Sequence, residues 1–253
     1  MNLSFVLLGF ISVAVVFVGA LIGAIGIGGV LLVPILTLGV GVNVHIAIAT
    51  AMFAYLFTGI VGAVEYARRG SIDWATGLWL CLGGMPGAYL GAMTTWLMPA
   101  VALELIIGIL VLISGVHALR PKSEVISERK GLSPTALVSI GVLTGFGSAI
   151  TGTGGPLVLV PILLWLKVST LTAVGLSQII QIPIALLATG GNLTFGHVDF
   201  KLGFILAAML VVGVVAGANF AHRASKDALK RIIAMALLGA GIAMLIKAGS
   251  GLV

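Results

Sequence analysis

The chain has 253 residues, 60% hydrophobic and 8% charged, with a mean hydropathy of +1.27. A soluble domain carries about 25% charged residues. Too few charges are present to solvate a globular surface, so the composition excludes a soluble enzyme or binding module and requires an integral membrane protein. The net charge of +6 does not point to nucleic acid, because the basic residues cluster in short connections between apolar runs, as in a membrane protein's loops.

The first apolar run spans 4–25 and precedes every Lys and Arg, the first of which is Arg68. It lacks the basic start of a cleaved signal peptide and reads as a retained membrane segment. A glycine break, Gly26-Ile27-Gly28-Gly29, follows. The next run, 29–41, carries Pro34 and falls short of the about 20 residues of a full span. It reads as a half-helix or the return arm of a hairpin. Runs at 44–66, 74–97 and 101–119 complete the first half. Cys81, the only cysteine, lies in the fourth run and reads as a small packed side chain; an intrachain disulfide or a thiolate cluster is excluded.

A charged stretch from Arg120 to Lys130 leads into runs at 135–151, 155–166, 170–191, 200–221 and 229–249. The second of these again follows a glycine break, Gly152-Thr153-Gly154-Gly155, and again carries a proline, Pro161. Sliding the chain by 126 residues superposes Gly28-Gly29 on Gly154-Gly155, Gly70–Trp74 on Gly196–Phe200, and Gly87 and Gly91 on Gly213 and Gly217. Two repeats are therefore expected, 1–119 and 134–253, joined by a charged cytoplasmic linker, 120–133.

Charge decides between parallel and inverted copies. If the first two runs of each repeat form one broken helix, Lys167, Arg223, Lys226, Lys230 and Arg231 lie opposite the other basic residues. If they form a hairpin, only Lys201 and Lys247 remain outside, as the positive-inside rule prefers. The expected fold is all-α: a polytopic membrane protein of two inverted repeats, each a glycine-broken hairpin plus three transmembrane helices, with both termini outside.

Hairpins entering from opposite faces would bring their glycine turns together near mid-membrane. Gly28, Gly29, Gly154 and Gly155 stand at or before the start of a short helix, where free N–H groups and the helix dipole favour an anion. Pro156 suits a first helical turn, and Thr153 adds a hydroxyl donor. The second copy has one extra residue between Gly155 and Pro161; once it is counted, Thr50 and Ser177 fall on matched positions of the following runs, and Gln178 and Gln181 follow Ser177. These side chains could bond an oxyanion or tie helix to helix; Thr50 and Gln181 lean toward the second role. Asn192 reads as a cap or interfacial residue. Glu65, Asp73, Glu104, His45, His117 and Asp199 lie near helix ends, and Asp73 and Asp199 read as matched helix starts. Glu65 and His45 are the candidates for carrying a coupled proton. No metal-binding spacing and no nucleophile paired with a base is visible, so no cofactor, metal or enzymatic activity is expected.

Gly26–Pro34 with Gly152–Pro161, Ala47–Thr50 with Ala173–Ser177, and Gly70–Trp74 with Gly196–Phe200 resemble the TauE/SafE membrane permeases, the sulfite exporter or toluene-sulfonate uptake family. The resemblance covers nearly the whole chain. It implies a secondary transporter of small sulfur-containing anions such as sulfite, sulfonates or sulfoacetate in a bacterial inner membrane, with a passive anion channel as the alternative. The implied partners are the anion and the lipid bilayer, not nucleic acid, and a homodimer stays open. The sequence departs at Val30, where relatives often carry a third glycine.

Overall fold

The computed structural model describes residues 5–26, 28–119, 132–220 and 226–250. Among them the chain is all-helical. The ten helices are α1 Phe5–Ile25, α2 Gly28–Val40, α3 Val44–Ala67, α4 Trp74–Leu97, α5 Ala100–Leu119, α6 Pro134–Thr151, α7 Pro156–Trp165, α8 Thr170–Phe195, α9 Phe200–Phe220 and α10 Lys226–Ser250. Four of them, α3, α6, α8 and most of α9, are long and apolar enough to cross a membrane.

The predicted runs locate all ten helices, with three departures. Helix α2 is not regular: it winds as 3-10 over Gly28–Leu31, as α over Leu32–Pro34 and as π over Ile35–Val40. Pro34 removes one N–H from the ladder, and the Thr37 hydroxyl donates back to the Val33 carbonyl at 2.9 Å. Helix α8 continues past 191 to Phe195, because Gly191 lets it run against Ala92 of α4. Asn192 is therefore a fully buried residue inside a helix, not a cap or an interfacial residue. Helix α10 begins at Lys226, earlier than expected. The predicted linker Arg120 to Lys130 lies outside the described residues, as does Arg223.

Glycine stripes fix the packing. In the crossing of α1 with α9, Gly19 and Gly23 meet the backbone of Leu210 and Val214, and Gly213 and Gly217 meet that of Val16 and Ala20. In the crossing of α4 with α6, Gly83, Gly87 and Gly91 meet Val138, Val142 and Phe146, while Gly141 and Gly145 meet Leu80 and Gly84. Within both crossings a Cβ on several of these glycines would fall onto a carbonyl oxygen of the partner helix. Membrane helices associate through such close backbone approach. Each hairpin thus packs on the fourth segment of the other half. Contacts of α3 with α8 and of α5 with α10 join matched helices, and α4 also packs on α8 and α3 on α9.

The paired residues also give direction. Helix α1 runs parallel to α9, and α6 parallel to α4, whereas α3 and α8 are antiparallel: Tyr55 meets Gln181, and Gly62 meets Gln178. Helix α2 doubles back along α1, with Gly28 beside Leu21 and Gly39 beside Ile11. Helix α7 doubles back beside α6, where Gly147 meets Val158. The α1–α2 hairpin consequently enters from the end that carries His45, Met98 and His197. The α6–α7 hairpin enters from the opposite end, which carries Arg68, Arg69 and Lys167. We call these the histidine end and the arginine end.

Candidate functional site

The two glycine turns meet beside Tyr55, in the middle of α3. A Cβ on Gly29 would lie 2.9 Å from the Thr153 carbonyl oxygen and 3.1 Å from the Tyr55 hydroxyl. One on Gly26 would lie 3.2 Å from Ser177 Oγ and 3.5 Å from Pro156 Cβ. Gly28, Gly29, Thr50, Thr153, Gly154, Gly155, Ser177 and Gln178 are all buried.

Turn one is closed by side-chain donors. A helix that ends inside the fold leaves carbonyls without partners. The Tyr66 hydroxyl donates to the Gly23 carbonyl at 2.9 Å, and Gln178 Nε2 donates to the Ile22 carbonyl at 3.1 Å. The Tyr55 hydroxyl donates to the Gly29 carbonyl at 2.6 Å. Gly28 packs on its own hairpin, against Val18, Leu21 and Ile22.

Turn two is bonded differently, although the Thr95 hydroxyl donates to the Ala149 carbonyl of its leading helix at 3.3 Å. The N–H groups of Gly152 and Thr153 both donate to the Ser148 carbonyl, and the Thr151 and Thr153 hydroxyls lie 3.0 Å apart. Gly154 and Gly155 then take φ of +79° and +118°, which only glycine adopts freely. Among the described residues their N–H groups meet no acceptor. Gly155 caps α7, with Pro156 in the first turn as expected. The ring of Tyr55 closes one side of Gly154, and Ile180 and Ile184 close the side of Gly155. Two amide donors at a helix N-terminus, held in an apolar wall, can receive a small anion without a buried permanent charge.

The other expected residues divide. Ser177 and Gln178 lie against turn one, though Ser177 donates to the Val174 carbonyl at 2.7 Å. Thr50 is not with them: its hydroxyl oxygen accepts the Asp199 N–H at 3.2 Å, tying α3 to the start of α9. Gln181 links α8 to α3, donating to the Tyr55 carbonyl at 2.9 Å and to Thr58 Oγ1 at 2.7 Å. Asp73 and Asp199 accept the N–H of Thr76 and Leu202 at the starts of α4 and α9. Glu65 pairs with Arg69 at 3.3 Å, and Glu104 with Lys247 at 2.8 Å. The side chain of His117 lies outside the described residues.

Tyr55 and Tyr66 did not emerge from sequence reasoning. The available signal was a phenol inside an apolar run, since a buried tyrosine hydroxyl needs a partner. Away from the turns, a cavity of about 490 Å³ at the histidine end is lined by Asn43, His45, Ile46, Trp96, Met98 and His197. There His45 Nε2 stands 3.0 Å from the Met98 carbonyl oxygen.

A bundle of apolar helices with two opposed, glycine-broken hairpins is the architecture of a multi-pass membrane transporter. The sequence comparisons give the same class: residues 11–244 match the family described as sulfite exporter TauE/SafE. The chain belongs to that family. It is similar to the probable membrane transporter protein YdhB of Bacillus subtilis, 29% identical over 90% of this chain and 96% of that protein. A probable membrane transporter protein of Xylella fastidiosa is 28% identical over 93% of this chain and 94% of its own length. No solved structure matches the chain.

Proposed function

We propose that the protein is a secondary transporter that moves a small sulfur-containing anion, such as sulfite, a sulfonate or sulfoacetate, across a bacterial inner membrane. The observation that carries this reading is the meeting of the two glycine turns beside Tyr55, with two buried, unpartnered amides at Gly154 and Gly155. Halves 1–119 and 134–253 act as inverted repeats, and alternating access exposes turn two to one end and then the other. The anion docks on Gly154, Gly155 and Thr153, while Gly29, Ser177 and Gln178 belong to the opposing wall. The contact of Gly29 with Thr153 favours a gated cycle over a passive channel, which needs a continuous opening.

The arginine end faces the cytoplasm in this scheme. Arg68, Arg69 and Lys167 lie there, against Lys201 and Lys247 at the other end, in keeping with the positive-inside rule. Both termini are then outside. Cysteines placed at 167 and 201 in a Cys81→Ser background should label from opposite faces of the membrane; labelling from one face contradicts the inverted scheme. Proteoliposome flux tests the function. Saturable, gradient-dependent uptake of sulfite, thiosulfate or sulfoacetate supports it, Ohmic single-channel current indicates a channel, and absence of flux for all three refutes it.

A further inference from the structure

Buried polar atoms in folded proteins nearly always find a partner, and each exception needs a reason. Five side-chain atoms here have none among the described residues: Thr144 Oγ1, Ser148 Oγ, Gln178 Oε1, Thr189 Oγ1 and Asn192 Nδ2. Gln178 Oε1 abuts Gly62. The other four lie on α6 and α8, two helices in contact.

Thr144 and Ser148 are the most unusual. Both are fully buried. A helical hydroxyl can satisfy itself on the carbonyl one turn back. Thr95, Ser139 and Thr151 all do so here, at 2.9, 3.0 and 2.7 Å. Thr144 and Ser148 do not make that bond.

Their positions are also ordered. Thr144, Ser148 and Thr151 recur at the spacing of one helix face, beside the glycine face that packs on α4. Thr151 then meets Thr153, and Thr153 leads to the free N–H groups of Gly154 and Gly155. In hairpin one the four matched positions are Val18, Ile22, Ile25 and Ile27. All four hydroxyls are absent there, while the glycine turn and the following proline are kept. Packing alone gives no reason for this one-sidedness.

We infer that Thr144, Ser148, Thr151 and Thr153 form a hydroxyl ladder that receives the oxyanion and delivers it to the amides of turn two. The ladder rests on the anion-transport reading above and adds to it the residues that conduct the substrate. Hydroxyl donors suit an oxyanion because each can rotate to follow the moving oxygen and let it go again. At the far end of α8, Asn192 accepts the Trp96 indole N–H at 2.9 Å, and Trp96 lines the cavity at the histidine end. Thr189 and Asn192 extend the series of unpartnered atoms toward that cavity.

The test is uptake of radiolabelled sulfite, thiosulfate and sulfoacetate into proteoliposomes by wild type, Thr144→Val, Ser148→Ala, the double variant and Thr37→Val. Thr37 is a buried hydroxyl of hairpin one that already bonds the Val33 carbonyl, and it serves as the control. The expected result is a KM raised about tenfold in each ladder variant for the transported anion, with unchanged KM in Thr37→Val. The melting temperature in detergent should hold or rise for the ladder variants, because an unpartnered buried hydroxyl is removed. Saturable wild-type uptake with unchanged KM in both ladder variants and the double variant overturns the ladder and leaves the transport reading standing. A wild type that takes up none of the three anions overturns the transport reading and the ladder with it.

Discussion

Hairpin one and hairpin two share a backbone plan and differ in chemistry. Each is a long helix, a glycine turn and a short proline-bearing return arm, and each packs through glycines on a helix of the other half. Turn one has its carbonyls bound by Tyr55, Tyr66 and Gln178. Turn two leaves the Gly154 and Gly155 amides without an acceptor among the described residues, and the helix leading into it carries the unpartnered hydroxyls of Thr144 and Ser148. The difference teaches that a duplicated motif need not be a duplicated site. On the transport reading proposed above, the shared backbone plan brings the turns together, and side chains make one turn the wall and the other the donor surface.

The largest effects should come from the shared scaffold. Gly83→Leu and Gly217→Leu force a side chain onto a carbonyl of the partner helix, and overpacking of this kind costs about 3 kcal/mol or more. Both variants should lose most of their thermal stability in detergent, and by similar amounts. A large drop in only one of them breaks the symmetry of the scaffold.

Next come the turns. Gly154→Ala puts a Cβ 2.9 Å from the Tyr55 ring in a left-handed conformation, a strain of about 1–2 kcal/mol before any steric cost. Anion binding, followed by calorimetry, should be lost. Gly29→Ala intrudes on the contact between the turns, at the Thr153 carbonyl and the Tyr55 hydroxyl, and should slow turnover more than it weakens binding. The reverse pattern places the anion on turn one.

Smaller again is Tyr55→Phe, which removes the hydroxyl donor to the buried Gly29 carbonyl at about 1 kcal/mol. Thermal unfolding should report this loss, and the transported anion should bind with near-native affinity. The Glu104–Lys247 pair joins α5 to α10, outside both hairpins. Glu104→Gln should cost about 1 kcal/mol or less and leave uptake unchanged.

The smallest effect is acid-dependent. The Thr76 hydroxyl holds the Asp73 carboxyl below its ordinary value of 3.8. Its contribution to capping α4 is therefore full above that value and fades as pH falls through the folded-state value. Asp73→Ala should flatten the acid limb of the melting-temperature profile. An unaltered limb removes Asp73 from the acid response.

Much of the scaffold was legible because apolar length and glycine breaks are set by local sequence. Runs 74–97 and 44–66 match α4 and α3 nearly residue for residue. The 126-residue offset and the distribution of Lys and Arg together led to opposed hairpins. The winding of α2 was not legible, since it depends on how Pro34 and Thr37 reroute hydrogen bonds in three dimensions. Thr50 and Ser177 occupy matched positions but serve different partners, and no offset distinguishes them. The contrast of Thr144 and Ser148 with Val18 and Ile22 was present in the letters. It acquired meaning only when the buried hydroxyls were found without partners.

The most direct test is a structure of the protein with sulfite, thiosulfate or sulfoacetate bound. The predicted result is anion density within hydrogen-bonding distance of the Gly154 and Gly155 amides and the Thr153 hydroxyl. Density confined to turn one, or to the cavity at the histidine end, would contradict the assignment of turn two as the anion site.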